Sequence, residues 1–264
     1  MLVDISKRKI VILPWAGFCS GLLPTAAQSQ TLLGAMINSA GRNRMHSQRL
    51  ARSYAQLVLN VEPESSRRYM RESFSAVALT LDSLEMAAPN ATVREAVKLA
   101  MGVWSKYKAY LETTPSKSHL KNVNASAEEF FSASHALTNA LQNVVNQKTA
   151  KLTNDAGAQR PRAMRLAKCY LLEFGGVALA NEIRIAKTQF EEVHKSLEQA
   201  PETTGSIRAQ LDLVKIQFGF IATAVDGVNL EREKFARAAV TTSERIVEIM
   251  DEVVRGYAVQ VKSS

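Results

Sequence analysis

The chain has 264 residues, of which 46% are hydrophobic and 22% charged, with 12 Gly and 7 Pro. That composition excludes collagen-like, low-complexity and largely disordered chains, and the length suits two domains. The formal charge is +8, from 33 Lys and Arg against 25 Asp and Glu.

Residues 1–27 have the layout of a secretory signal. Lys7, Arg8 and Lys9 form a basic start, Ile10 to Leu23 is apolar, and Thr25, Ala26 and Ala27 supply small residues before a cut at Gln28. The apolar stretch is short and broken by Pro14 and Pro24, whereas a spanning helix needs about 20 apolar residues. Export to the periplasm is therefore expected. Removing Asp4 with the three basic residues lowers the formal charge by two, to +6. Cys19 leaves as well, so Cys169 remains without a partner and is expected to be buried and inert.

From residue 28 onward the apolar positions recur at helical spacing. Pro63, Pro89 and Pro115 stand 26 residues apart and punctuate four segments, 31–61, 63–87, 91–113 and 118–147. Thr92 followed by Glu95 reads as a capping box at the third start. Long segments with short connections predict an antiparallel four-helix bundle.

The plan then repeats. Asn38, Ala40, Gly41, Arg44, Arg49, Leu50, Ala51 and Tyr54 recur 116 residues on as Asn154, Ala156, Gly157, Arg160, Arg165, Leu166, Ala167 and Tyr170. Ile246, Ile249, Met250, Val253 and Tyr257 mark a closing helix with one buried stripe. The predicted fold is all-α, with tandem antiparallel four-helix bundles at 28–147 and 148–264.

Charge is distributed unevenly along the two opening helices. Between Gln28 and Val61 there is no acid, yet Arg42, Arg44, Arg49 and Arg52 are present; Arg160, Arg162, Arg165 and Lys168 stand in a second acid-free stretch. A helix ordinarily balances such charge at i+3 or i+4, each pair giving roughly 0.2–0.5 kcal/mol. Uncompensated guanidinium groups point to an anion, because their paired donors match a flat oxyanion. A solvated basic face accounts equally well for the spacing alone. Gly41 lies one turn before Arg44, where the missing side chain would let a second helix approach.

Asn38 to Tyr54 resembles the box that opens the periplasmic sensor domain of nitrate- and nitrite-responsive histidine kinases and of type IV pilus methyl-accepting transducers, the PilJ-type domain. The similar positions are Asn38, Ala40, Gly41, Arg44, Met45, Ser47 and Arg49. The resemblance implies a four-helix bundle in which arginines from two opening helices hold the anion. It gives that role to Arg44, with Gly41 and Arg49 in support and Arg160 and Arg165 as counterparts. In the second box Pro161 stands in place of Met45 and Met164 in place of Gln48, which demotes that copy as a binder. The expected ligand is a small oxyanion, nitrate or nitrite, bound by paired opening helices in one chain or in a homodimer.

Other chemistries find less support. His46, His119, His135 and His194 show no paired metal spacing, and Glu191 with His194 forms a single Glu-x-x-His unit that reads as a solvated face. There is no GxGxxG, Walker motif or nucleophile elbow, so no cofactor and no enzymatic activity are expected. Trp104, Tyr107 and Tyr110 read as core and rim packing rather than a stacking platform, and export argues against a nucleic-acid partner. The sequence runs to Ser264 without a relay domain, so a protein partner in the envelope is expected. The competing function is a pilus- or chemotaxis-related interaction protein that has lost its ligand.

Overall fold

The computed structural model describes residues 26–144, 150–226 and 231–261. The signal-segment expectation falls on residues 1–25, outside the described residues. Among those described, the fold is all-α: α1 (Ala26–Leu59), α2 (Pro63–Ala87), α3 (Ala91–Leu111), α4 (Leu120–Gln142), α5 (Ala150–Phe174), α6 (Ala180–Gln199), α7 (Gly205–Asp226) and α8 (Arg232–Val261), with a 3-10 turn at Lys117–His119. No described helix is long and apolar enough to cross a membrane.

Local chemistry places the ends. Asn60 and Glu62 adopt left-handed φ values of 55° and 45° and turn the chain so that Pro63 can open α2, where its missing N–H costs nothing. The cap of α3 is Asn90, whose side chain accepts from the Val93 N–H at 2.9 Å. The expected Thr92 box is not used, because Asn90 already occupies the extended cap position. At the end of α5, Gly176 takes φ 98° and lets Val177 N–H reach back to Leu172 O at 2.9 Å. Pro161 sits inside α5 without ending it.

Each half is a four-helix bundle. In the first, α1 packs on α2 and α4, and α3 on α4; in the second, α5 packs on α6 and α8, and α7 on α8. The two opening helices, α1 and α5, lie against each other, so one hydrophobic core runs through both halves. Trp104 and Tyr107 are in that core, clustered with Phe74 and Phe130, while Tyr110 is 40% exposed at the rim. Cys169 is buried, and burial raises its thiol pKa. His194 is buried as well, stacked on Phe190 and 3.5 Å from Glu198, so the expectation of a solvated Glu-x-x-His face does not hold for it.

The pairing of α1 with α5 removes most of the expected charge imbalance. Arg49 and Arg52 of α1 both pair with Glu244 of α8, and Arg165 and Lys168 of α5 both pair with Glu128 of α4. Each glutamate therefore comes from the closing helix of the opposite bundle. Arg52 has no exposed surface; besides Glu244 at 2.5 Å it donates to Ser243 Oγ at 2.7 Å and Met164 Sδ at 3.2 Å, and it lies over the Tyr69 ring.

Breaking a buried pair from one side strands the other charge, at about 3–5 kcal/mol. Glu244→Ala is expected to lose about that much in chemical denaturation. Glu128→Ala should lose less, because the Glu128 side chain is 30% exposed. An E244A loss below about 1 kcal/mol, the range of exposed pairs, would show that these bridges do not hold the halves together.

Candidate functional site

The site is built where the Asn-Ala-Gly-x-x-Arg turns of α1 and α5 meet. Arg44 folds back over its own helix: Nε donates to Gly41 O at 3.3 Å, and a methyl group on Gly41 would stand 3.1 Å from Arg44 Nη2. Gly157 leaves the same room for Arg160, 3.3 Å from the position of a methyl group. Gly41 thus makes space for a guanidinium, not for the neighbouring helix as the sequence suggested.

From that position each guanidinium crosses to the other bundle. Arg44 Nη2 donates to Asn154 Oδ1 at 3.1 Å, and Arg160 Nη2 donates to Asn38 Oδ1 at 3.0 Å. The two bonds are related by the 116-residue offset, so α1 and α5 meet as a pseudo-two-fold pair. The repeat matches Asn38 with Asn154, but their spacing in sequence gives no sign that each is the other half's partner.

The other arm of each guanidinium meets residues 135 and 251, again 116 apart, and there the symmetry fails. Arg160 Nη1 pairs with Asp251 Oδ1 at 3.1 Å, and Arg42 holds the other Asp251 oxygen at 2.6 Å. Arg44 Nη1 instead meets His135 Nδ1 at 3.2 Å. For Nδ1 to accept from a guanidinium the ring must be neutral with its proton on Nε2; Asn139 Nδ2 stands 3.2 Å from Nε2, so the Asn139 amide must then turn its oxygen to that proton. Desolvation, then the charges of Arg44 and Arg162, lower the His135 pKa and favour that neutral form.

Arg44 is only 4% exposed, yet no carboxylate pairs with it among the described residues. Burial and then the neighbouring Arg162 lower its pKa to about 10, so it is still a cation at neutral pH. Arg162 is partly buried, and its Nη1 donates to Gln159 Oε1 at 3.3 Å. The other buried cations, Arg52, Arg160 and Lys168, each have a carboxylate. Arg44 is thus a buried cation without a carboxylate partner among the described residues; Arg162 beside it is subject to the charge of Asp155, and His135, which contacts Arg44, is exposed.

Of the residues singled out from sequence, Gly41 and Arg44 come together at this point, Arg160 occupies the equivalent place in the other half, and Arg49 and Arg165 are engaged by Glu244 and Glu128. His135, Arg162 and Asp251 were missed as site residues. Extending the repeat comparison to the closing helices would have paired His135 with Asp251 and Glu128 with Glu244. A cleft lined by Arg184, Lys187, Glu191 and Asp226 contains none of these groups.

Beside the site, His46 is buried and its Nδ1 faces Ser73 Oγ at 3.0 Å. Desolvation, then Arg49, Arg42 and Arg160, lower its pKa to about 3. Because the folded value lies below the unfolded one, the unfolded chain takes up the proton first, and stability falls as pH drops from about 6.5 toward 3. His46 alone should remove about 2 kcal/mol between pH 7 and pH 5. His46→Gln is expected to flatten most of that acid limb in denaturant titrations, leaving the smaller slope of His135 and His194, which shift the same way. An unchanged limb would show that His46 is not the group responsible.

The family described as type IV pili methyl-accepting chemotaxis transducer N-term matches residues 26–130, a span that contains Gly41, Arg44 and Arg49. No curated protein and no solved structure matches the chain. Residues 26–130 are thus similar to the N-terminal domain of type IV pilus methyl-accepting chemotaxis transducers, the PilJ-type domain.

Proposed function

We propose that the chain is an exported, non-catalytic sensory protein of the periplasm, in which 28–147 and 148–264 are two PilJ-type bundles forming an internal pseudo-dimer. On this reading it binds one small oxyanion, nitrate or nitrite, at Arg44, and occupancy is passed to a protein partner. The observation that carries it is the contrast between Arg44, buried without a carboxylate, and Arg160, whose equivalent place is filled by Asp251. Asp251 is in effect a built-in anion, so the second half has no vacancy for another. At an effective dielectric near 20 a monovalent anion ~4 Å from a guanidinium gains about 4 kcal/mol, against about 1 in water. A buried Arg44 with Arg162 nearby supplies that setting. Arg49 and Arg165 support the site by fixing α1 and α5 through their glutamates.

The test is titration calorimetry and thermal unfolding with nitrate. The wild type should bind one nitrate per chain and gain about 2.7 kcal/mol at 100 times its Kd. Arg44→Ala should abolish binding without loss of fold, and Arg160→Ala should weaken it less. His135→Asp should copy the Arg160–Asp251 arrangement: binding lost, and stability raised by about 1.5–3 kcal/mol through a charge-assisted bond. Full nitrate affinity in R44A or H135D would remove Arg44 from the site.

A second reading, an accessory interaction protein without a ligand, is favoured by the ion pairs that already engage Arg49, Arg160 and Arg165. It predicts no nitrate response in the wild type.

A further inference from the structure

Helix α7 carries two apolar seams on nearly opposite faces. Ile207, Leu211, Val214, Phe218 and Ile221 are buried in the second bundle. Ala209, Leu213, Ile216, Phe220 and Thr223 are exposed and follow each other at spacings of four, three, four and three, the a/d pattern of a helix that packs a second helix. Leu213 is 47% exposed, Ile216 58% and Phe220 56%. No charged residue interrupts this outer seam.

The first bundle shows that the fold does not require it. Val93, Val97, Ala100, Trp104 and Tyr107 of α3 are the buried counterparts of the α7 core positions, 114 residues earlier. At the same offset the outer positions of α3 are Glu95, Leu99, Gly102, Lys106 and Ala109. Two charges and a glycine there became Ala209, Phe220 and Ile216 on α7. A helix with apolar seams on two opposite faces, separated by polar flanks, is suited to being covered on both sides.

We propose that the outer face of α7 is a dimerisation surface occupied by α7 of a second copy of this chain, in an antiparallel two-fold pair. The seam is complementary to itself. With Leu213 of one copy against Ile216 of the other, Phe220 falls opposite Ala209, so large side chains meet small ones. Asp212, the flanking charge in the middle of the seam, then falls opposite Gly219, and Gln210 opposite Gln217, so no like charges meet. The seam from Ala209 to Thr223 is about 21 Å long, enough for two heptads. The opening helices already pair within the chain, so this contact joins two complete molecules and does not depend on the anion site.

Sedimentation equilibrium of the whole protein, over a roughly hundredfold concentration range about a micromolar Kd, tests the pairing. The wild type should pass from monomer to dimer, and Arg44→Ala should do the same with or without nitrate. Ile216→Lys and Phe220→Glu should each raise the Kd at least roughly a hundredfold, beyond the range examined. Both side chains are exposed, so thermal unfolding measured well below the Kd, where every variant is a monomer, should be unchanged. Leu99→Lys, on the equivalent face of α3, should dimerise as the wild type does. Copies carrying Leu213→Cys mixed with copies carrying Ile216→Cys should form a mixed disulfide on mild oxidation. A wild type that stays monomeric throughout, a dimer indifferent to both α7 variants, or one lost equally in L99K would overturn the proposal.

Discussion

Two helices whose buried basic stretches contain no acid can pack against each other only if carboxylates reach those stretches from elsewhere. Here they come from the closing helix of the opposite bundle: Glu244 serves Arg49 and Arg52, and Glu128 serves Arg165 and Lys168. Since an uncompensated buried charge costs several kcal/mol, neither opening helix is stable in this environment without the other half of the molecule. The same requirement sets the register of α1 on α5, because Asn38 and Asn154 can accept from Arg160 and Arg44 only when the two boxes lie level. The apolar core that runs through both halves follows from that alignment.

Within this near-symmetric frame one exchange matters most. Position 251 supplies a carboxylate to Arg160, while position 135 supplies a neutral imidazole to Arg44. A neutral acceptor satisfies one donor of the guanidinium but leaves its charge unbalanced, and Arg162 adds to it. The first half therefore carries electrostatic demand that the second half has already met. On the proposed reading, its readiness for an anion and its histidine partner are two aspects of the same substitution. In the second half Asp251 also engages Arg42 of α1, so that carboxylate helps bind the bundles together as well as neutralising Arg160.

Much of the architecture was legible from spacing alone, because proline punctuation and a 3.6-residue period survive any change of partner. Pro63 opens α2, and α2 and α3 begin at the residues expected from it and from Pro89. The α3 cap was misassigned since Thr92 with Glu95 satisfies the motif while Asn90 has the better position for it. Arg44 stood out by its box, but its neighbours did not: Asn154, His135 and Asp251 lie 91 to 209 residues from the α1 arginines they touch. Local charge counting likewise called Arg49 and Arg165 uncompensated because it searched one helix for acids that sit on others. Pro161, which in the sequence sets the second box apart from the first, lies inside α5 without ending it, and α5 packs on α1 and α8.

The central claim is that one buried arginine of the pseudo-symmetric pair keeps room for a monovalent anion and its twin does not. Anomalous diffraction from crystals soaked in bromide tests it most directly, since the ion is monovalent and its position is read without assuming a ligand. The account predicts a single strong peak within hydrogen-bonding reach of the Arg44 guanidinium and none beside Arg160. Equal peaks at both arginines, or a peak at Arg160 alone, would contradict it.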